Sequence, residues 1–197
     1  MLRLATLLFV VLAPRDARAD GALISDDTWK VTSCGCLTID GGLLVALPAA
    51  LPTGLSRGLG AGATYGHQLT AGVRASWSTA TESTTAFVVT HSDFRLRATA
   101  GVEHIAGRGT FGLRIGLGGT VVHEHRVRSQ GMRAGLTGDA LETSAFALLP
   151  AADIEAVVAV HVFGPWLMTL SGGPTADVQD GKAHGGWTGL LGVGWQP

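Results

Sequence analysis

Nine charged residues stand at alternate positions in otherwise apolar or small-residue segments: Asp40, Arg74, Arg95, Arg97, Glu103, Arg114, Glu124, Asp153 and Glu155. Four arginines against five carboxylates is close to balance, and the only lysines, Lys30 and Lys182, fall outside this set. A guanidinium is planar and forked, so it suits buried, multiply bonded carboxylate pairs better than an ammonium does. The chemistry this set points to is a structural ion-pair network, with a narrow ion pathway as the alternative. Catalysis would need a nucleophile or base held in a constellation, and the sequence spells none, so no catalytic, cofactor or metal residue is assigned. His123-Glu124-His125 comes nearest: on a strand His123 and His125 share a face, a minimal ligand pair with no defined third ligand. They are read as polar side chains at a rim. Cys34 and Cys36 are the only cysteines. A C-x-C bridge closes a tight, strained ring, so they are read as a local bridge or an inert pair, with a redox or metal role as the alternative.

The segment that positions most of these charges is FRLRATAGVEHIAGRGTFGLRIGLGGTVVHEH, residues 94–125. Phe94, Leu96, Ala98, Ala100 and Val102 alternate with Arg95, Arg97, Thr99, Gly101 and Glu103. After Gly107-Arg108-Gly109, the residues Phe111, Leu113, Ile115, Leu117 and Val121 alternate with Gly112, Arg114, Gly116, Gly118, Thr120 and Glu124. Period two over this length is a strand signal, and the glycines mark a turn. With Arg108-Gly109 as the loop, facing residues have numbers that add to 217, an odd sum that keeps both apolar faces on one side. A slip of one residue would oppose apolar to polar throughout. This register places Glu103 opposite Arg114, Asp93 opposite Glu124 and Ser92 opposite His125.

The first 19 residues carry a basic Arg3, an apolar run from Leu4 to Ala13 and the small-residue pattern Ala17-Arg18-Ala19. That is a secretory signal peptide. Residues 20–35 are read as a periplasmic lead-in and 36–197 as one barrel. The period-two pattern predicts strands over 36–47, 58–66, 69–79, the two arms of the 94–125 hairpin, 144–162, 166–176 and 185–196. Pro150 removes a ladder donor, so a bulge or unpaired position is expected there. Connections alternate: 66–68, 107–109 and 163–165 are short, whereas 48–57, 80–90, 126–143 and 177–184 are longer, with Phe87-Val88-Val89 readable as strand already.

Charged residues make up only 15% of the chain and hydrophobic ones 46%. Yet after residue 20 no uncharged apolar run approaches the ~18 residues of a membrane helix. Alternation hides the polarity of a barrel strand in this way. The net charge of −1 leaves no nucleic-acid footprint. Trp166 and Trp195 fall near the short-turn rim, and Trp77 and Trp187 near the other, as two interfacial girdles would. The fold class is therefore all-β, an eight-stranded antiparallel up-and-down transmembrane β-barrel. In this pattern the chain resembles the small eight-stranded bacterial outer-membrane barrels of the OmpA/OmpX type. The resemblance covers residues 37–197 and rests on architecture, not on a motif. It implies an outer-membrane address, insertion by the outer-membrane assembly machinery, a monomer among outer-membrane lipids including lipopolysaccharide, and a structural or surface-interaction role. Arg126, Arg128 and Arg133 in the longest loop suit anionic headgroups. Some barrels of this class are lipid A-modifying enzymes. One uses a His and a Ser two residues apart, whereas His91 and Ser92 are adjacent and His161 has no such Ser. Two alternatives remain: a small pore or lipid A-modifying barrel, and a soluble lipocalin-like barrel with its apolar face inward around a hydrophobic ligand.

Overall fold

A computed structural model describes residues 36–47, 55–132, 135–138 and 141–197. Eight strands follow in order: β1 (Cys36–Leu47), β2 (Ser56–Gly66), β3 (Leu69–Ser83), β4 (Phe87–Ala106), β5 (Gly109–Arg128), β6 (Glu142–Phe163), β7 (Trp166–Gln179) and β8 (Lys182–Trp195). A short 3-10 turn, Gln130–Met132, lies between β5 and β6. Each strand pairs antiparallel with the next, and β8 pairs with β1 to close the barrel. A circuit of the registers begun at Cys36 passes Gly66, Thr70, Gly101, Arg114 and Glu155 and reaches Thr188, which faces Ala46, ten residues along β1. For eight strands that shear corresponds to a tilt of about 40°.

Closure leaves no edge in the wall between the girdles, which is what lets a sheet sit in hydrocarbon. Leu43, Val73, Leu96, Leu113, Ile115, Leu117, Ile154, Met168, Leu191 and Val193 all stand exposed on the outer wall. In water they would form one large apolar patch. In a bilayer they meet a matching solvent, so the apolar face is the outer one and the wall is a transmembrane span. Trp166 faces Trp195 directly near one rim, and Trp77 faces Phe94 near the other. The inner face is polar apart from a few apolar residues, among them Leu44 opposite Leu190, both buried.

Several boundaries differ from the sequence expectation, and for one physical reason. β3 runs on to Ser83, β4 begins at Phe87, β7 extends to Gln179 and β8 begins at Lys182. The segments 80–90 and 177–184, expected as loops, are thus largely strand. Strand that lies beyond the hydrocarbon is wet on its outer face, so it lacks the apolar alternation that marks the rest. The connection at Asp180-Gly181 is a two-residue turn with both φ positive (51° and 72°), the geometry of a type I′ hairpin and the reason Asp-Gly is favoured there. The central hairpin turns at Gly107-Arg108, with Ala106 facing Gly109. Gly107 supplies the positive φ (59°) at the first loop position. The facing numbers therefore add to 215, two less than expected. A shift of two preserves the parity, so every side chain keeps its face while its cross-strand neighbour changes. At Pro150 the β5 register continues unbroken opposite Gly119, while pairing toward β7 begins only at Ala151. A register shift between β6 and β7 lies instead between His161 and Phe163.

Candidate functional site

The inner charges form three tiers. Nearest the short-turn rim, Arg114 of β5 donates Nε and Nη2 to Glu103 Oε1 of β4, at 2.9 and 2.6 Å. The two are not directly opposed: Glu103 faces Gly112, and Arg114 faces Gly101. Those glycines make the diagonal pair possible. A Cβ on Gly112 would meet Glu103 Cγ at 2.6 Å, and one on Gly101 would meet Arg114 Cγ at 2.7 Å.

The middle tier is centred on Arg74 of β3. Its Nη2 donates to Asp40 Oδ2 of β1 at 2.7 Å, and its Nη1 to Ser171 Oγ of β7 at 2.9 Å and to Glu155 of β6. One guanidinium thus braces four strands across the lumen. The forked, rigid donor set is what permits this.

The upper tier holds Arg95 and Arg97 of β4 with Asp93, Asp153 and Asp177. Arg97, 3% exposed, donates to Asp153 Oδ2 at 3.2 Å, to the Gly119 carbonyl at 2.6 Å and to Thr120 Oγ1 at 3.0 Å. Thr120 in turn donates to Asp177 Oδ1 at 2.7 Å. Arg95 lies 3.7 Å from both Asp93 and Asp177, yet none of its three guanidinium nitrogens meets a hydrogen-bond acceptor in the protein. It borders an inner cavity of about 40 Å³, shared with Arg74, Asp153, Glu155 and Thr175. At about 10–15 Å³ per water centre that space holds about three or four waters.

Eight of the nine expected inner charges fall in these tiers. Glu124 does not. It pairs with His91 (Nδ1 to Oε2, 3.5 Å) and with Arg126 at the rim, because the two-residue register change puts His91, not Asp93, opposite it. Sequence reasoning left Asp93 and Asp177 out of the network. Asp93 shares the parity of Arg95 and Arg97. For Asp177 the signal was the alternation Ser171, Gly173, Thr175, Asp177, which continues straight into the Asp-Gly turn.

On the outer surface His123 stacks on Phe146 with centroids 4.2 Å apart, and faces Ser92. His125, opposite Thr90, meets Ser144 Oγ at 3.0 Å and Glu142 at 3.2 Å. The expected facing pairs Asp93–Glu124 and Ser92–His125 are therefore replaced. Among the described residues no group of three or more His, Cys, Asp or Glu is placed to hold a metal. Cys34 lies outside the described residues.

This cluster sits on a sheet that outgrows the barrel. β4, β5 and β6 have 20, 20 and 22 residues, against 12 in β1 and 11 in β2. At ~2.5 Å of axial rise per tilted residue, the longer strands climb ~50 Å, about twice the ~25 Å apolar band of such barrels. Pairing continues to Ser83–Val88, Phe87–Arg128 and Val127–Glu142. Pairing of β6 with β7 stops at Ala151–Asp177. Beyond it, residues 142–150 of β6 form an edge on that side, with Phe146 and Leu148 among the most exposed apolar residues (73% and 75%).

Fold and lumen together define a small, closed outer-membrane β-barrel with a side-chain-filled interior. Among solved structures the chain is similar to Ail, the attachment invasion locus protein of Yersinia pestis. The identity is 14%, the TM-score 0.54, and the match covers 83% of this chain and 99% of that one. The same protein in complex with the heparin analogue sucrose octasulfate matches with a TM-score of 0.51 over the same shares at 14% identity. Neisserial surface protein A matches at 11% identity over 82% of this chain and 95% of that one, with a TM-score of 0.48. At these identities the likeness is one of fold. No protein-family model and no curated protein sequence matches the chain.

Proposed function

We propose that this chain is a non-enzymatic surface-interaction protein of the bacterial outer membrane, a monomer delivered by the signal peptide 1–19 and inserted by the outer-membrane assembly machinery. In this reading residues 20–35 lead in from the periplasm, and lipopolysaccharide surrounds the outer half of the barrel. The Arg/Asp/Glu tiers act as a structural plug: Arg74 and Arg97 each bond several strands at once, and the inner cavities, of about 40 and 30 Å³, are of water size, so the lumen does not conduct. The observation that carries the surface role is the extension of β3–β6 past the rest of the wall. It exposes Thr81, Ser144 and Phe146 on a rigid sheet rather than on a floppy loop. An attachment role, which the name of the Yersinia pestis barrel carries, suits that architecture, and so does contact with sulfated polysaccharide like that crystallised with it.

The test uses the full chain exported in a diderm host. An epitope inserted at Gly135 should be readable on intact cells, and outer-membrane fractions should show a gel mobility shift on boiling. Cells displaying the barrel should adhere to glycosaminoglycan-coated surfaces. A variant with the segments beyond Ala80 on β3 and beyond His123 on β5 shortened to tight turns should keep the mobility shift and lose adhesion. An epitope hidden on intact cells, or adhesion indifferent to that trimming, would sink the proposal.

A further inference from the structure

The outer wall is not uniformly covered by large side chains. Leu59, Trp77 and Phe94 stand side by side on β2, β3 and β4, since Leu59 faces Trp77 and Trp77 faces Phe94. Just beneath, toward the short-turn rim, Gly41, Ala61 and Ala75 face one another on β1, β2 and β3. The drop from aromatic rings to methyl groups and bare backbone opens a groove of about 370 Å³. It is lined almost wholly by carbon, with Leu59, Trp77 and Phe94 as its upper wall and Ala61 and Ala75 in its floor. Two residues above Leu59, on the same face of β2, Arg57 stands exposed opposite Thr79. No described residue forms a hydrogen bond or ion pair with it. A cation at girdle height thus surmounts an apolar slot that runs into the hydrocarbon, on the side of the longer connections.

Three occupants suit a lipid-facing groove: a helix, a second barrel or a lipid chain. A membrane-spanning helix runs about 30 Å, whereas the small-residue floor lies at one level of the wall, between Ala61 and Ala75. A second copy docked about a two-fold axis along the membrane normal would bring its own Arg57 to the same patch, like charge against like. An acyl chain fits the slot, and its headgroup then lies at Arg57. We propose that the groove seats one acyl chain of a phosphorylated glycolipid of the outer leaflet, lipid A, with Arg57 meeting one of its phosphates. This rests on the membrane reading above and adds a defined lipid site to it. A guanidinium that snorkels beside an anionic headgroup contributes both charge and geometry.

The experiment is native mass spectrometry of the folded full-length barrel in mild detergent, titrated with purified lipid A. Phosphatidylglycerol and phosphatidylcholine serve as the anionic and zwitterionic comparisons. The heat-induced mobility shift reports folding of each variant. Wild type should take up a single lipid A at concentrations where phosphatidylcholine leaves no adduct. Arg57→Gln should weaken that uptake about fivefold, and Ala75→Phe, which fills the floor, should abolish it, both with the mobility shift intact. Equal uptake of lipid A and phosphatidylcholine, or uptake unaltered by both substitutions, would overturn the site. Uptake of phosphatidylglycerol as tight as that of lipid A would overturn the glycolipid assignment. A two-barrel species that vanishes in Ala75→Phe would give the groove to a second copy. A chain recovered soluble, with no mobility shift, would refute the membrane reading instead.

Discussion

Remove the guanidinium of Arg114 and the lumen should report whether it is dry. Arg114 and Glu103 form a self-contained pair. Their side chains are 7% and 12% exposed, and neither makes an ion pair with any other group among the described residues. The one further side-chain bond is from the Thr70 hydroxyl, at 3.5 Å from the carboxylate. Arg114→Met keeps the length of the stem and strands Glu103 in a wall of low dielectric. Breaking a buried pair from one side costs about 3–5 kcal/mol, because the remaining charge is left uncompensated. At ~1.4 kcal/mol per factor of ten, that is two to three and a half orders of magnitude in the folding equilibrium. Glu103→Leu should cost a similar amount. The double variant should return to within about 1 kcal/mol of wild type, since an apolar pair of similar volume replaces an ion pair at little net cost. Reversible urea unfolding in phospholipid vesicles, followed by tryptophan fluorescence and checked by mobility on gels, measures all four corners of the cycle. If each single variant loses less than about 1 kcal/mol, water reaches the pair and screens it. The plug reading then fails, and bilayer conductance becomes the next measurement.

Gly116→Ala should disturb the upper tier, because a Cβ there would overlap the Asp153 carboxylate and push it off Arg97. A loss of about 1–3 kcal/mol is expected in the same unfolding assay, and Asp153→Ala in the Gly116→Ala background should cost less than it does alone. At the central turn, Gly107 has φ 59° and open space around its Cα, so Gly107→Ala should meet backbone strain alone. It should lower stability by about 1 kcal/mol without altering lipid uptake or the mobility shift; a neutral result would mean that the turn relaxes.

What could be read from the sequence was governed by hydrocarbon. Wherever a strand crosses the membrane, one face must be apolar, so the period-two signal located β1 to the residue and fixed which side each charge takes. The central hairpin shows the limit of that signal. Parity excluded a slip of one residue but was blind to a slip of two, and only the left-handed preference of Gly107 over Arg108 separates the two. Above the membrane both faces of β3, β4, β5 and β6 are wet. Thr81, Thr90, Ser92 and Ser144 carry no alternation there, and the extended sheet looked like loops. Asp177 was lost for another reason: it keeps the inward parity of Ser171, Gly173 and Thr175, but its nearness to the Asp180-Gly181 turn put it in the expected loop. The groove under Arg57 was invisible because alanine and leucine are equally apolar to a pattern, while their difference in volume becomes a shape only once β2 and β3 lie side by side.

The seam between β1 and β8 has a consequence for how the protein comes into being. Seven of the eight pairings join consecutive strands and can form as hairpins while the chain arrives. The eighth, from Ile39–Trp195 to Leu47–Trp187, must wait for both ends of the wall. Closing a loop of roughly 150 residues costs about 4 kcal/mol of chain entropy by the logarithmic rule, and that cost falls on a single late event. The order of assembly is therefore a zipper that advances one hairpin at a time and then latches. Spontaneous opening of the finished barrel should begin by unlatching the same pair of strands.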